Sequence, residues 1–264
     1  MAAIIKATFD SYRYIFHDLR DTRSDDWFMM NSVWFPASIT ALYLYFVLYF
    51  GPRIMKNRPP MQLDTVIKLY NVVQIILCTF ITERALTLGW LRKYRWFCEP
   101  VDYSNTPEAY AILRAFYYYH LVKMLDLMDT VFIILRKKER QVSFLHVYHH
   151  AGVFFASWII MKFLPGGHGS LLGTINPFVH VVMYSYYFIT STWPKYKQNL
   201  WWKKYVTQLQ MAQFLLVTLH AAPVLFLENC NYPKPIAGLM VFQYSFMFIL
   251  FLDFYKKTYR KKAV

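Results

Sequence analysis

The sequence predicts an all-α, polytopic membrane protein with seven transmembrane helices, and three observations predict it. Hydrophobic residues make up 57% of the 264 residues and aromatics 20%, while charged residues are only 17%, against about 25% in ordinary soluble domains. A soluble fold of this length cannot hide so much Phe, Tyr, Leu and Ile, whereas lipid accepts an apolar exterior. Apolar stretches of about 20 residues, enough to cross a bilayer core, recur at 34–50, 66–88, 110–135, 143–161, 171–191, 205–227 and 236–255. The connections between them are polar and often basic. Eight Gly and three Cys rule out a collagen-like or disulfide-scaffold chain.

Taken in order, residues 1–26 are charged and lack an apolar core, so they do not read as a cleavable signal peptide. The first span is then the expected insertion signal. The second contains Cys78, read as packing, and Tyr117, Tyr118 and Tyr119 in the third are read as packing and interface aromatics. Loops 51–61, 136–142 and 192–204 and the tail from Lys256 hold most of the lysines and arginines. The positive-inside rule makes that side cytosolic, with the N-terminus lumenal and the C-terminus cytosolic. The Arg92, Lys93, Arg95 cluster runs against the trend. This divides the chain into a lumenal segment 1–33, a seven-helix transmembrane domain 34–255 and a basic cytosolic tail 256–264. The ending Lys261-Lys262-Ala263-Val264 resembles a dilysine retrieval signal, which implies a multi-pass protein of the endoplasmic-reticulum membrane. Cys98 and Cys230 both fall in lumenal loops, where a disulfide persists; two free thiols are the other reading. The formal charge of +14 points away from nucleic acid, which needs a basic face on a soluble fold, and towards anionic lipid or an anionic substrate.

Strongly polar groups inside a membrane cost about 2.5–3.5 kcal/mol each for a central Asp, Lys or Arg, so each calls for a cavity or a function. The third span carries His120, Lys123, Asp126, Asp129 and Thr130 near one helical face. The fourth opens with His146-Val147-Tyr148-His149-His150, whose offsets of three and four put the imidazoles together. In the fifth, Asn176, His180, Tyr184 and Tyr187 follow at helical spacing; in the sixth, Thr207, Gln208, Gln210 and Gln213 form a stripe. At about 1.5 Å of rise per residue, Gln210, His149, Asp129, Asp126 and His180 share one cytosolic half-layer, which reads as a single buried polar chamber. Gln208 is read as an interhelical hydrogen bond. His17 and His168 lie outside the spans, and His220, alone deep in the sixth, reads as structural.

A His-x-x-His-His run in a membrane first suggests the di-iron oxygenases, but those need several His-rich boxes and this chain has one. One metal ion on His146, His149, His150 and an Asp fits the residue types, although the sequence does not require it; the reading adopted has no metal and no cofactor. A transporter or seven-helix receptor is the rival class, and neither needs a triple-imidazole face beside cytosolic carboxylates.

These residues resemble the very-long-chain fatty-acid elongase family, the membrane 3-oxoacyl-CoA synthases. The resemblance runs from the first span to the tail. It is carried by the His-x-x-His-His box, the His-x-x-Met-Tyr-x-Tyr-Tyr run from His180, the Thr-Gln-x-Gln-x-x-Gln run from Thr207 and the ending. The family's Lys-x-x-Glu-x-x-Asp-Thr motif appears at Lys123 to Thr130 with Asp126 in place of Glu, one methylene shorter.

The resemblance implies six of the seven helices enclosing an acyl-chain tunnel. It also implies condensation of acyl-CoA with malonyl-CoA to 3-oxoacyl-CoA, CO2 and CoA, with both CoA esters as substrates. His149, the middle His of the box, is the expected nucleophile, forming an acyl-imidazole, since no Cys lies in the polar layer; a one-step route with the box His as general base is the alternative. His180 is expected to activate malonyl-CoA. Asp126 and Asp129 are expected to hold the box imidazoles in the right tautomer, with His146 and His150 completing the network. Lys123, Asn176, Tyr184, Tyr187, Gln210 and Gln213 are the expected substrate contacts, and Lys203 and Lys204 would attract the CoA phosphates. Membrane lipids surround the bundle. The reductases and dehydratase of the elongation cycle are partners that the pathway implies, and a homo-oligomer is left open.

Overall fold

The computed structural model describes residues 2–197 and 201–260, and those residues form helices and turns without strands. A short helix, α1 (Ala2–Arg13), precedes seven long ones: α2 (Trp34–Met55), α3 (Asp64–Trp90), α4 (Pro107–Leu135), α5 (Phe144–Phe163), α6 (Ser170–Thr192), α7 (Trp201–Ala221) and α8 (Lys234–Tyr255). Four of them, α2, α3, α5 and the α8 region, are long and apolar enough to cross a membrane, which marks a membrane protein. The other three are equally long, and they carry Lys123, Asp126 and Asp129, then Asn176 and His180, then Gln208, Gln210 and Gln213. Their polar stripes are what lower their hydropathy.

Local chemistry sets the ends. Thr106 caps α4 by accepting the Ala109 amide, with Pro107 in the first turn, where its missing N–H costs nothing. Ser143 caps α5 by accepting the His146 amide at 3.2 Å, so the histidine box starts inside the first turn. Helix α2 continues past residue 50 to Met55 because a wide turn over Phe46–Phe50 absorbs Pro52, which could neither donate to a carbonyl four residues back nor avoid it. Helix α7 stops at Ala221, earlier than the expected 227, where Pro223 and a tighter turn take over.

The helices pack in the order α5, α4, α3, α6, α7, α8. The Tyr148 hydroxyl of α5 donates to Gln243 Oε1 of α8 at 2.9 Å, and the Tyr148 ring meets Phe246 edge-on. Those contacts join the two ends of the series. Helix α2 stands beside the series, packed on α5 and, through its last turns, on α4; Met29, Tyr43, Val47, Met55, Leu127, Ile134 and Phe154 fill that seam.

One end of the bundle is basic: Arg136 pairs with Asp64 at 2.9 Å, and Lys137 donates to the carbonyls of Lys56 and Arg58. At the other end Cys98 and Cys230 are joined in a disulfide. Residues 19–33 lie across that end. Asp21 N–H donates to the Lys162 carbonyl at 2.8 Å, Trp158 Nε1 donates to the Met29 carbonyl at 2.9 Å, and the buried Lys162 ammonium pairs with Asp25. The dilysine ending falls outside the described residues.

The disulfide end corrects one expectation. His220 is not alone: its ring stacks on that of His168 with centroids 3.9 Å apart, and each Nε2 faces the other residue's carbonyl, at 2.9 and 3.3 Å. A loop residue and a helix residue, far apart in sequence, meet only because the chain returns. Gln208 donates to the Tyr255 hydroxyl at 3.0 Å, an α7–α8 hydrogen bond of the kind expected.

Candidate active site

The site is built on the faces of α3, α4, α5 and α6. On α4 a stripe runs Tyr119, Lys123, Asp126, Thr130, all buried, with spacings of three and four that stack one residue above the next. Lys123 Nζ donates to Asp126 Oδ2 at 3.0 Å and sits 5.0 Å over the Tyr119 ring. A buried ammonium and carboxylate are tolerable only when paired and hydrogen-bonded. Asp126 meets that condition fully. Its Oδ1 accepts from Gln74 Nε2 at 2.7 Å and lies 3.1 Å from the Tyr184 hydroxyl.

Helix α6 adds the next layer. The Tyr184 hydroxyl lies 2.7 Å from Asp129 Oδ2, so one phenol bridges both carboxylates of α4. One turn earlier, His180 Nδ1 is 3.6 Å from Asp126 Oδ2, beyond hydrogen-bond length, and is buried without a hydrogen-bond partner among the described residues. Tyr187 stacks edge-on with Tyr184 at the rim. Asn176 lies towards the disulfide end, where it accepts from the Tyr119 hydroxyl at 3.3 Å and donates to Gln213 Oε1 at 3.5 Å.

The box occupies the first two turns of α5. The His146 and His150 ring centroids are 4.3 Å apart, and those of His149 and His150 are 5.4 Å apart. His149 lies within electrostatic range of Lys123, Asp126 and His146, and both His149 and His150 lie within range of His180. The imidazoles of α5 and α6 therefore share one region with the Lys123–Asp126 pair. His146 Nε2 is 2.8 Å from Thr130 Oγ1, which is also 2.8 Å from the Tyr43 hydroxyl.

Two expected contacts change. Among the described hydrogen bonds the carboxylates do not hold the box imidazoles: Asp126 and Asp129 point towards α3 and α6, and the hydroxyl of Thr130, one turn from Asp126, reaches His146 instead. Gln210 joins none of these carboxylates or imidazoles through a described bond; its amide contacts Met183 Sδ at 3.5 Å. Lys203 is half-buried and Lys204 exposed near the start of α7. Sequence reasoning missed α3 altogether. Gln74 and Tyr70 are buried, and Gln74 Nε2 also donates to the Tyr70 hydroxyl at 2.9 Å. Their spacing of four in an otherwise apolar span was the available signal. His120, from the expected stripe, turns away from the carboxylates to bond Ser157 Oγ at 2.8 Å and stack on Phe154.

The arrangement offers a half-buried imidazole set for covalent or general-base chemistry and an unpartnered imidazole facing it. The paired Lys123 ammonium and Asp126 carboxylate stand beside His180, Asp126 Oδ2 being 3.6 Å from its Nδ1. Comparison with known proteins identifies the family and several relatives. A sequence model described as the GNS1/SUR4 family matches residues 28–264. The chain is 43% identical over 251 residues to mouse (Mus musculus) very long chain fatty acid elongase 1, covering 94% of this chain and 90% of the relative. It is 39% identical over 262 residues to human (Homo sapiens) very long chain fatty acid elongase 4, covering 99% and 82%. It is 37% identical over 254 residues to Drosophila melanogaster very long chain fatty acid elongase 7, covering 96% and 77%.

Proposed function

The chain belongs to the GNS1/SUR4 family, whose members include very long chain fatty acid elongases, and from that premise we propose that it is a 3-oxoacyl-CoA synthase of the endoplasmic-reticulum membrane. It condenses acyl-CoA with malonyl-CoA. In this reading all seven long helices cross the membrane, the basic end faces the cytosol, and the closed series of six surrounds the acyl chain. Lys203 and Lys204 meet the CoA phosphates by charge attraction, while the apolar bundle takes the chain.

The observation that carries the reading is the buried, unpartnered Nδ1 of His180 beside Asp126 and within range of His149. An unpaired buried nitrogen is costly unless a ligand completes it. His149 attacks the acyl thioester: a C–N bond forms, the C–S bond breaks, and the imidazole proton leaves with the CoA thiolate. Malonyl-CoA then loses CO2, and the electron pair left on its methylene carbon attacks the acyl-imidazole. The new C–C bond releases the imidazole, which regains a proton from water. His180 hydrogen-bonds the enolate oxygen as charge develops there, the task of an oxyanion-stabilising donor. Lys123, Gln74 and Tyr184 hold Asp126, whose carboxylate stands 3.6 Å from His180 Nδ1 and acts on it through charge alone. Thr130 fixes His146, which packs against His150 and so sets the box geometry.

The test is incubation of the purified protein with malonyl-CoA carrying labelled carbon and a panel of acyl-CoA lengths. The expected result is labelled 3-oxoacyl-CoA, two carbons longer, with stoichiometric CO2. A folded protein that releases no CO2 across the panel overturns the reading and favours lipid transport.

A further inference from the structure

Asp129 takes no part in the chemistry above, and its contacts leave one proton unaccounted for. The Tyr184 hydroxyl oxygen lies 2.7 Å from Asp129 Oδ2 and 3.1 Å from Asp126 Oδ1. Both are hydrogen-bond distances, yet a phenol carries one proton and an ionised carboxylate carries none. The hydroxyl proton covers one of the two contacts. The other brings two bare oxygens together unless a second proton lies between them.

The neighbouring donors do not supply it. The nearest acceptors of the Gln74 amide are Asp126 Oδ1, at 2.7 Å, and the Tyr70 oxygen, at 2.9 Å. The Tyr70 hydroxyl lies 3.3 Å from the Leu125 carbonyl and 3.4 Å from the Tyr184 oxygen, so its proton never falls between Tyr184 and a carboxylate. Lys123 donates to Asp126 Oδ2 at 3.0 Å. An ammonium and an amide thus hold the charge of Asp126. Among the described residues Asp129 meets the phenols Tyr184 and Tyr70 and no cation at hydrogen-bond distance. Two carboxylates three residues apart on one helix face do not readily both ionise, and the proton belongs to the one without a cation.

We propose that Asp129 is held as the neutral acid, its carboxyl proton donated to the Tyr184 oxygen and the Tyr184 proton donated to Asp126 Oδ1. Asp129 is then a positioning residue. It fixes the direction of the Tyr184 hydroxyl and leaves one negative charge, on Asp126, opposite the one positive charge of Lys123. The consequence rests on the elongase reading above: this neutral set admits the carboxylate of malonyl-CoA beside His180, and a second carboxylate charge would repel it. The titratable groups facing Asp129 are Lys123 and Asp126 on α4, Tyr184 and Tyr187 on α6, Tyr70 and Cys78 on α3 and Tyr43 on α2. His149 and His150 on α5 face Lys123 and His180 instead.

The experiment is infrared difference spectroscopy of purified wild type against Asp129→Asn at neutral pH, in H2O and in D2O. Asparagine is neutral and carries no acid proton. The expected result is a protonated-carboxyl C=O band in wild type that shifts in D2O and is missing from the variant. Identical carbonyl regions overturn the inference. If the variant does not fold, wild type decides alone: the band is expected to fade as pH is raised, and a band that is absent at neutral pH, or that persists unchanged, overturns it. Kinetics give a second readout. The wild-type KM for malonyl-CoA is expected to rise roughly tenfold with pH as a like charge forms in the site, with kcat little moved, and to stay level in Asp129→Asn. KM values that rise together in both proteins overturn the charge role. A protein that shows the band and extends no substrate overturns the elongase reading and leaves the protonated Asp129 standing.

Discussion

The hydroxyl of Tyr184 on α6 bridges to Asp129 of α4, 2.7 Å from its Oδ2, while standing 3.1 Å from Oδ1 of the neighbouring Asp126. One phenol thus joins two carboxylates that would otherwise face each other in a buried space. Tyr184→Phe keeps the ring and removes that hydroxyl. The expected outcome is a loss of about 1–3 kcal/mol of stability, the cost of an unsatisfied buried acceptor, and at least a tenfold slower condensation, about 1.4 kcal/mol in the barrier. Thermal unfolding in detergent and labelled-product formation check the two effects separately.

Gln74 gives a second, sharper expectation, because its amide donates to Asp126 from α3, one turn along from its other partner, Tyr70. Gln74→Leu preserves bulk and leaves Oδ1 of Asp126 with Tyr184 alone. Gln74→Glu adds a negative charge beside it. The Glu variant is expected to be the slower enzyme of the two, by roughly tenfold, although it is the closer match in shape. Equal rates for the two variants, each compared with wild type at the same malonyl-CoA concentration, contradict the role given to Gln74.

Much of this arrangement was legible in the chain. The imidazoles of α5 and the carboxylates of α4 stood out because charge and hydrogen-bonding groups are costly in lipid, and helical spacing put them on faces. The same logic could not single out Gln74, since one amide in a long apolar span reads as a packing bond between helices. Nor could it aim the carboxylates: Asp126 and Asp129 share a face with Thr130, and only the rotation of α4 against α3 and α6 decides which of them meets the box. His168 and His220 show the remaining limit. Two isolated histidines in a loop and a helix carry no local sign of each other, and they pair because the disulfide end folds back on itself. Helix ends shifted for local reasons: a wide turn over Phe46–Phe50 absorbs Pro52 and lets α2 run on, while Pro223 ends α7 early in a tighter turn.

Thr130 makes a two-sided contact, 2.8 Å from both His146 Nε2 and the Tyr43 hydroxyl. Thr130→Val keeps the shape and loses the hydroxyl, so His146 turns freely against His150. Condensation is expected to slow about tenfold, and Thr130→Ser is expected to restore most of the rate. A Ser variant as slow as the Val variant means that the methyl group's packing matters and the hydroxyl does not.

The loop before α2 carries a pH signature. Burial would raise the Asp25 carboxyl, but hydrogen bonds from Arg20 and Lys162 outweigh it and hold the group below its ordinary value of 3.8. A carboxylate with a depressed value contributes stability that is present above pH 3.8 and is lost as pH falls through the folded value. At pH 7, Asp25→Asn is expected to melt at a lower temperature than wild type, by an amount equivalent to about 1–2 kcal/mol for a partly exposed pair. Below pH 3.8 the two melting temperatures are expected to converge. A gap that stays constant through acidification contradicts this assignment.

The most direct test of the proposed chemistry is intact-protein and peptide mass spectrometry after mixing with acyl-CoA alone, before any malonyl-CoA is added. The expected result is an acyl adduct on the peptide containing His149, absent in His149→Ala and discharged when malonyl-CoA follows. An elongating enzyme that carries no adduct under these conditions, or carries it equally after His149→Ala, contradicts the acyl-imidazole route.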